Sequence, residues 1–396
     1  MPVLDPSNAA LMSLRIYDVK DAYTKRNFLD SFPNILGGAD PSLNANPFSK
    51  KTSVTYPNEG LEAKTGGIVF KHKYLIGVVA SGTGIYKNEA FVMLQGTSNL
   101  FDALTDLNTG VKHTSTAHMV HQGFEDAFRS LRTDLERFAN TNMTNVVRVH
   151  CIGHSLGGGL ATLSANYLAN RGFETCLYTF GSPRVGLEPF SRFASLNIKP
   201  ENIYRTYHTT DPVAMLPTWP FHHIAYNNLG YRIDHTLQLN PVAGHSMKTY
   251  VKSVENKTWK FLAHNEPERY RIPELKSWLR IDRPFHLMAQ HFELISHCFR
   301  WIFSLAAKAT GIALTIGIGS AATLLDRMAL VLSLGAKKLG EAGIWLYLLV
   351  RKLARFVGIK LKEGTELTYC LLKQIFTLFH NRTKQFVMQI ARSPDL

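Results

Sequence analysis

Val146-Val147-Arg148-Val149-His150-Cys151-Ile152-Gly153-His154-Ser155-Leu156-Gly157-Gly158-Gly159 is the stretch from which the rest of the chain is read. Residues 146–152 are β-rich and apolar, the pattern of a buried strand. A helix-compatible run follows, with Leu160, Ala161, Leu163, Ala165 and Leu168. Between them lies G-x-S-x-G, which is weak evidence alone but meaningful where a strand precedes it and a helix follows. Such a bend holds the serine in strained backbone with its hydroxyl exposed above a sheet. Side chains at Gly153 and Gly157 would collide with the neighbouring strand and helix. The start of the helix favours the negative charge that develops in acyl transfer. Ser155 is therefore the expected nucleophile.

The surroundings extend this pattern. Upstream, Gly67–Phe70, Leu75–Ala80 and Ala90–Leu94 read as strands, while residues 1–60 mix short helical patterns with Pro/Asn/Ser-rich loops. Phe124, Ala127, Phe128, Leu131, Leu135 and Phe138 recur at helical spacing over 121–138. Thr175–Phe180 and Ile203–His208 read as further strands. Strands alternating with helices imply an α/β fold with a mostly parallel central sheet covered on both faces.

A serine hydroxyl is a poor nucleophile until a base takes its proton and an acid orients that base. In α/β-hydrolases the acid and then the histidine follow the serine in the chain. Asp211 lies just past the strand ending near His208, where catalytic groups of such sheets sit. Asp234 is its rival, and turn capping ahead of Pro212 is its bland alternative. Among His222, His223, His235 and His245, spacing alone prefers His245 only slightly over His235.

Several segments in order resemble the class 3 lipases, the family of the fungal triacylglycerol lipases, over about residues 65–250. Gly153–Gly158 looks like that family's elbow, and Phe180-Gly181-Ser182-Pro183-Arg184-Val185-Gly186 is similar to its next strand end. Val120-His121-Gln122-Gly123-Phe124, Asp211-Pro212-Val213 with Leu216-Pro217, and His245-Ser246-Met247 with Tyr250 match further segments. The resemblance implies an α/β-hydrolase with Asp211 as acid and His245 as base. It also implies an oxyanion hole formed by the backbone N–H groups of Thr97, within Gln95-Gly96-Thr97, and Leu156. Gln95 stands where the family has arginine. The short gap between Asp211 and His245 suggests a trimmed loop and a differently shaped acyl site. By the same resemblance, 98–116 is the lid segment, with Leu100, Phe101, Leu104 and Leu107 on one apolar face; an ordinary surface helix packed on the core is the alternative.

The 396-residue chain is 45% hydrophobic and 19% charged, which supports a sizeable core and excludes a disordered or collagen-like chain. Its net charge of +14 is uneven: residues 271–396 hold 18 Lys and Arg against 8 Asp and Glu. This basic third is also the most apolar, which favours anionic lipid over nucleic acid as a partner. An apolar stripe marks 285–302 (Phe285, Met288, Phe292, Ile295, Phe299, Ile302), and Leu367, Leu371, Ile375 and Leu378 form a last one. Ala309–Leu325 is uncharged and approaches the length of a bilayer span. Two readings compete for this region: helices lying on or inserted in a membrane, or a soluble helical cap with a buried Gly/Ala-rich helix. The four scattered cysteines show no zinc spacing, and Cys151 and Cys176 read as buried thiols. Met1–Asp18 lacks the pattern of a cleavable signal peptide, so the expected location is a membrane's cytoplasmic face or a destination reached by a signal-independent route.

The expected organisation is a hydrolase domain over 1–265, a Pro-containing linker over 266–284 and a helical module over 285–396 that meets a membrane surface through 285–380. The expected chemistry is hydrolysis of a lipid carboxylic ester, a glycerolipid or phospholipid, through an acyl-enzyme, with no metal or cofactor. The competing class is a membrane-binding or permeabilising protein, such as a secreted effector, with a vestigial hydrolase domain. Acyl chain length, regiochemistry and oligomeric state do not follow from the sequence.

Overall fold

The computed structural model describes residues 3–23, 55–65, 72–96, 110–224, 230–234, 240–263, 270–283, 285, 288–312, 323–338 and 340–391. Helix α1 (Pro6–Tyr23) is followed by β1 (Thr55–Thr65), β2 (His72–Gly82) and β3 (Glu89–Leu94), an antiparallel meander. Two short strands, β4 (Val111–His113) and β5 (Met119–His121), lead into α2 (Gln122–Asn142). Then come β6 (Arg148–His154), α3 (Leu156–Asn170), β7 (Glu174–Phe180), β8 (Gly186–Leu187), α4 (Glu188–Ile198) and β9 (Ile203–His208). β10 (Phe221–His222) and β11 (Tyr231–Ile233) complete the strands.

The main sheet runs β1-β2-β3-β6-β7-β9-β11 and is parallel from β3 onward. The register pairs Leu94 with Gly153, His154 with Phe180, and Phe180 with Thr206. The carboxyl ends of four strands therefore meet along one edge, and the loops that leave it converge. Alternation of side chains along each strand builds two cores. Ala90, Val92, Leu94, Val149, Cys151 and Leu177 face the core shared with α2, α3 and α4. Phe91, Met93, Ile152, Cys176, Tyr178 and Phe180 face the opposite one, which Leu4 and the α1 residues Met12 and Ile16 close. This is the expected α/β-hydrolase architecture, mostly parallel and covered on both faces. A small antiparallel sheet, β10-β8-β5-β4, was not expected.

After the sheet the elements among the described residues are helices: α5 (Pro241–His245), α6 (Met247–Val254), α7 (Trp259–Leu262), α8 (Ile272–Arg280), α9 (Ala289–Thr310), α10 (Leu324–Lys338), α11 (Glu341–Phe356) and α12 (Tyr369–Ala391). The stripe over 285–302 faces inward. Phe292, Ile295, Phe299 and Ile302 are buried in a third core that also takes Tyr207, Ala214, Met215 and Phe221 from the hydrolase part. α12 joins this core through Ile375, Phe376 and Phe379, and the first core through Val387 and Ile390. No helix among the described residues is long and apolar enough to cross a membrane.

The structure corrects several expectations. The segment 266–284 is not all linker: α8 lies within it. Pro273 sits in the first turn of this helix, where its missing N–H has no partner to lose. The backbone N–H of Arg271 donates to Glu274 Oε2 at 2.9 Å and closes that end. Residues 1–60 include the long helix α1 and the start of β1 rather than short helical patterns alone. Leu378 is exposed, and the inner face of α12 carries Leu372 and Phe376 beside Ile375. The strand expected at 67–70, the four apolar lid residues and residues 313–322 of the uncharged stretch lie outside the described residues. At the end of the expected lid, 111–113 is strand β4, paired with β5.

Candidate active site

Ser155 sits between β6 and α3 with φ +55° and ψ −130°, a left-handed backbone that costs a non-glycine residue about 1–3 kcal/mol. Its N–H donates to the Phe180 carbonyl at 2.9 Å, fixing the bend to the neighbouring strand. A Cβ on Gly157 would lie 2.3 Å from the Leu94 carbonyl oxygen, so the helix can start this close to β3 only with glycine there. Leu156 begins α3, and its N–H has no acceptor within the helix. It is therefore free of intrahelical pairing on the nucleophile's own turn, as an oxyanion donor must be. Thr97, the other expected donor, lies outside the described residues. Gln95, two residues before it, is buried and donates from Nε2 to the Leu75 carbonyl at 3.2 Å, which ties this turn to β2.

Asp211 follows β9, and His245 closes the single turn of α5. That turn is set by Asn240, whose Oδ1 accepts from the N–H groups of Val242 and Ala243, and by Pro241 in its first position. The expected short loop at His245 is thus a capped helical turn. His245 Nδ1–H donates to both carboxylate oxygens of Asp211, at 3.0 and 2.9 Å. Its Nε2 then accepts from the Ser155 hydroxyl at 2.8 Å. All three side chains are buried. Asp234 instead pairs with Arg232 at the surface, His222 and His223 stand on and beside β10, and His235 lies outside the described residues.

Further groups hold this constellation; the family resemblance included Tyr250, Val213, Gly181 and His154 in its segments but gave them no role. Tyr250 on α6 donates to Asp211 Oδ2 at 2.7 Å, and the Val213 N–H donates to Oδ1 at 2.9 Å. Burial and the adjacent carboxylate keep the Tyr250 phenol well above its usual pKa, so it remains a donor. The Tyr250 hydroxyl accepts from the His208 N–H at 3.0 Å. Gly181, at φ +57°, allows this approach: a Cβ there would lie 2.4 Å from Asp211 Oδ2. His154 Nε2 lies 2.7 Å from the His245 carbonyl, and its Nδ1 lies 2.7 Å from the Tyr17 hydroxyl. Burial holds His154 well below the imidazole range, and it is neutral. Tyr17 carried no motif. Its helix is tied to the site only in three dimensions.

A buried serine activated by an imidazole that a carboxylate orients, at the carboxyl edge of a mostly parallel sheet, defines the architecture of a serine α/β-hydrolase. Residues 91–221 match the family model described as lipase (class 3). The chain is 35% identical over 151 residues to a secreted mono- and diacylglycerol lipase 1 of Fusarium solani, covering 35% of this chain and 44% of that one. It is 34% identical over 102 residues to the secreted mono- and diacylglycerol lipase A of Penicillium cyclopium, covering 24% and 31%. The matches thus span less than half the length of these curated relatives. The triacylglyceride lipase of Rhizomucor miehei overlays with a TM-score of 0.41 at 20% identity, over 58% of this chain and 79% of that one.

Proposed function

We propose that the protein hydrolyses carboxylic esters of lipids through an acyl-enzyme on Ser155. The observation that carries this reading is the unbroken line from Ser155 Oγ through His245 to Asp211, with contacts of 2.8 and 2.9 Å. As the Ser155 oxygen attacks the ester carbonyl carbon, His245 Nε2 takes its proton, and Asp211 stabilises the imidazolium. The carbonyl oxygen becomes an oxyanion, held by the Leu156 N–H and, by the family resemblance, that of Thr97. Collapse breaks the bond to the alcohol, which leaves with the proton from His245. Water then attacks the acyl-enzyme by the same route, releases the fatty acid and restores the serine. The named relatives act on mono- and diacylglycerols, so neutral glycerolipids are the first substrates to try, with phospholipids the alternative.

We place the reaction at a membrane or lipid surface because residues 271–396 hold a net excess of ten basic residues. Such an excess attracts anionic headgroups. A permeabilising protein with a vestigial hydrolase domain is disfavoured by the complete triad. Release of fatty acid from diacylglycerol and phospholipid vesicles, measured by lipid mass spectrometry for wild type and Ser155→Ala, tests the whole reading. Fatty acid released only by the wild type is the expected result. Equal release by the folded variant overturns it.

A further inference from the structure

An apolar cavity beside the turn that carries Ser155 is walled in part by helices beyond the matched lipase segment. Its near wall includes Leu156, next to Ser155, and Val213, two residues past Asp211. Its far wall is Phe299 of α9, Met328 of α10, and Phe376 and Phe379 of α12. The lining is almost wholly apolar, with His380 and Lys384 of α12 among its few polar members. α12 runs the length of this space. Its Val387 packs with Phe124 and Leu156 in the first core, and its Phe376 packs with Phe299 and Met328 in the third. The helix between those two positions is ~16 Å long, on the scale of an extended fatty acyl chain.

Resting on the hydrolase reading above, we propose that this cavity binds the acyl chain of the substrate, and that α9, α10 and α12 set which chain lengths are accepted. The place of Leu156 and Val213 in its lining, next to Ser155 and two residues past Asp211, identifies the occupant. Leu156 follows Ser155, offers its N–H to the oxyanion and lines the cavity, so an ester whose carbonyl reaches Ser155 brings its acyl chain beside this apolar space. The helices that looked membrane-seeking in the sequence thereby have a second role, since their apolar residues line a binding site. Each methylene buried there adds about fourfold in affinity, so a side chain that fills the far end penalises long chains and spares short ones.

The full-length protein with Met328→Trp tests this, using p-nitrophenyl esters from acetate to palmitate and, separately, binding of palmitate to the same change in a Ser155→Ala background. The expected result is a fall of about tenfold or more in the ratio of long- to short-chain kcat/KM, and a comparable loss of palmitate binding. Met328→Ala, which enlarges the same end, moves the ratio toward longer chains and shows that the site tolerates substitution. Leu330→Trp, exposed on the outer face of α10, leaves the ratio at the wild-type value. A ratio unmoved by both Met328 variants, or palmitate binding unaltered by Met328→Trp, overturns the proposal. Ester hydrolysis that survives Ser155→Ala overturns the hydrolase reading instead, and the binding measurement still decides the cavity.

Discussion

His154, the residue before Ser155, meets the backbone of His245: its Nε2–H donates to the His245 carbonyl at 2.7 Å. A carbonyl only accepts, so the proton is on Nε2 and Nδ1 is the acceptor. Tyr17 therefore donates to Nδ1 at 2.7 Å and accepts the Gly96 N–H at 3.2 Å. One phenol in the N-terminal helix thus links the oxyanion turn, the elbow and the base.

Tyr17→Phe strips a partner from two buried groups, and an unsatisfied buried group typically costs about 1–3 kcal/mol. The variant should unfold at lower urea and show a lower kcat, because Gly96 borders Ser155 and a Cβ there would lie 3.0 Å from that of Ser155. Full stability together with full kcat would show that the bridge is dispensable.

Asp211→Asn keeps the shape but loses the charge that steadies the imidazolium. The amide nitrogen also has no acceptor to offer the Val213 N–H or the Tyr250 hydroxyl, both of which donate to the carboxylate. A fall of about 10⁴ in kcat is expected, the scale seen when other triads lose their acid. A loss under tenfold in steady-state ester hydrolysis would mean that another group orients His245.

Stability should fall as the pH drops below the imidazole range. Burial lowers the pKa of His154, His222 and His223, and that of His222 reaches about 4, with the Arg184 charge adding to the effect. In the unfolded chain each binds a proton near pH 6.5. The unfolded state therefore holds more protons between about 6.5 and the folded value, and stability is lost as pH falls through that window. Replacing His222 with Gln should flatten the dependence by up to ~1.4 kcal/mol per pH unit. Urea titrations at several pH values measure the slope, and an unchanged slope contradicts the assignment.

Gly157→Ala places a methyl against backbone, which cannot rotate away. Either the elbow shifts from β3 or the start of the helix moves. A destabilisation of about 1–3 kcal/mol and a large drop in kcat should appear together, read by thermal unfolding and ester hydrolysis. A fully active, equally stable variant would show that the close approach of Gly157 to Leu94 is not needed.

The elbow, the order of strands and helices, and the triad candidates were legible because each rests on local chemistry. G-x-S-x-G needs a strand before it and a helix after it, and both lie in adjacent sequence. Asp211 was preferred over Asp234 by its place just past a strand end, whereas His245 over His235 rested chiefly on resemblance, since spacing along the chain says little about distance across a sheet edge. Tyr17 was not singled out, and Tyr250 was noted only as part of a matching segment, because a tyrosine on a helix looks the same whether it packs in a core or hydrogen-bonds a site residue.

What the sequence determined by itself is the α/β plan, the nucleophile and the apolar periodicity of the last third. Only the tertiary structure decided where that periodicity points. An amphipathic stripe specifies that one face leaves water, and burial against protein or insertion in lipid satisfies that demand equally well. Here Phe292, Ile295, Phe299 and Phe376 meet one another and the hydrolase part, because the loops past β9 expose apolar surface that needs the same cover.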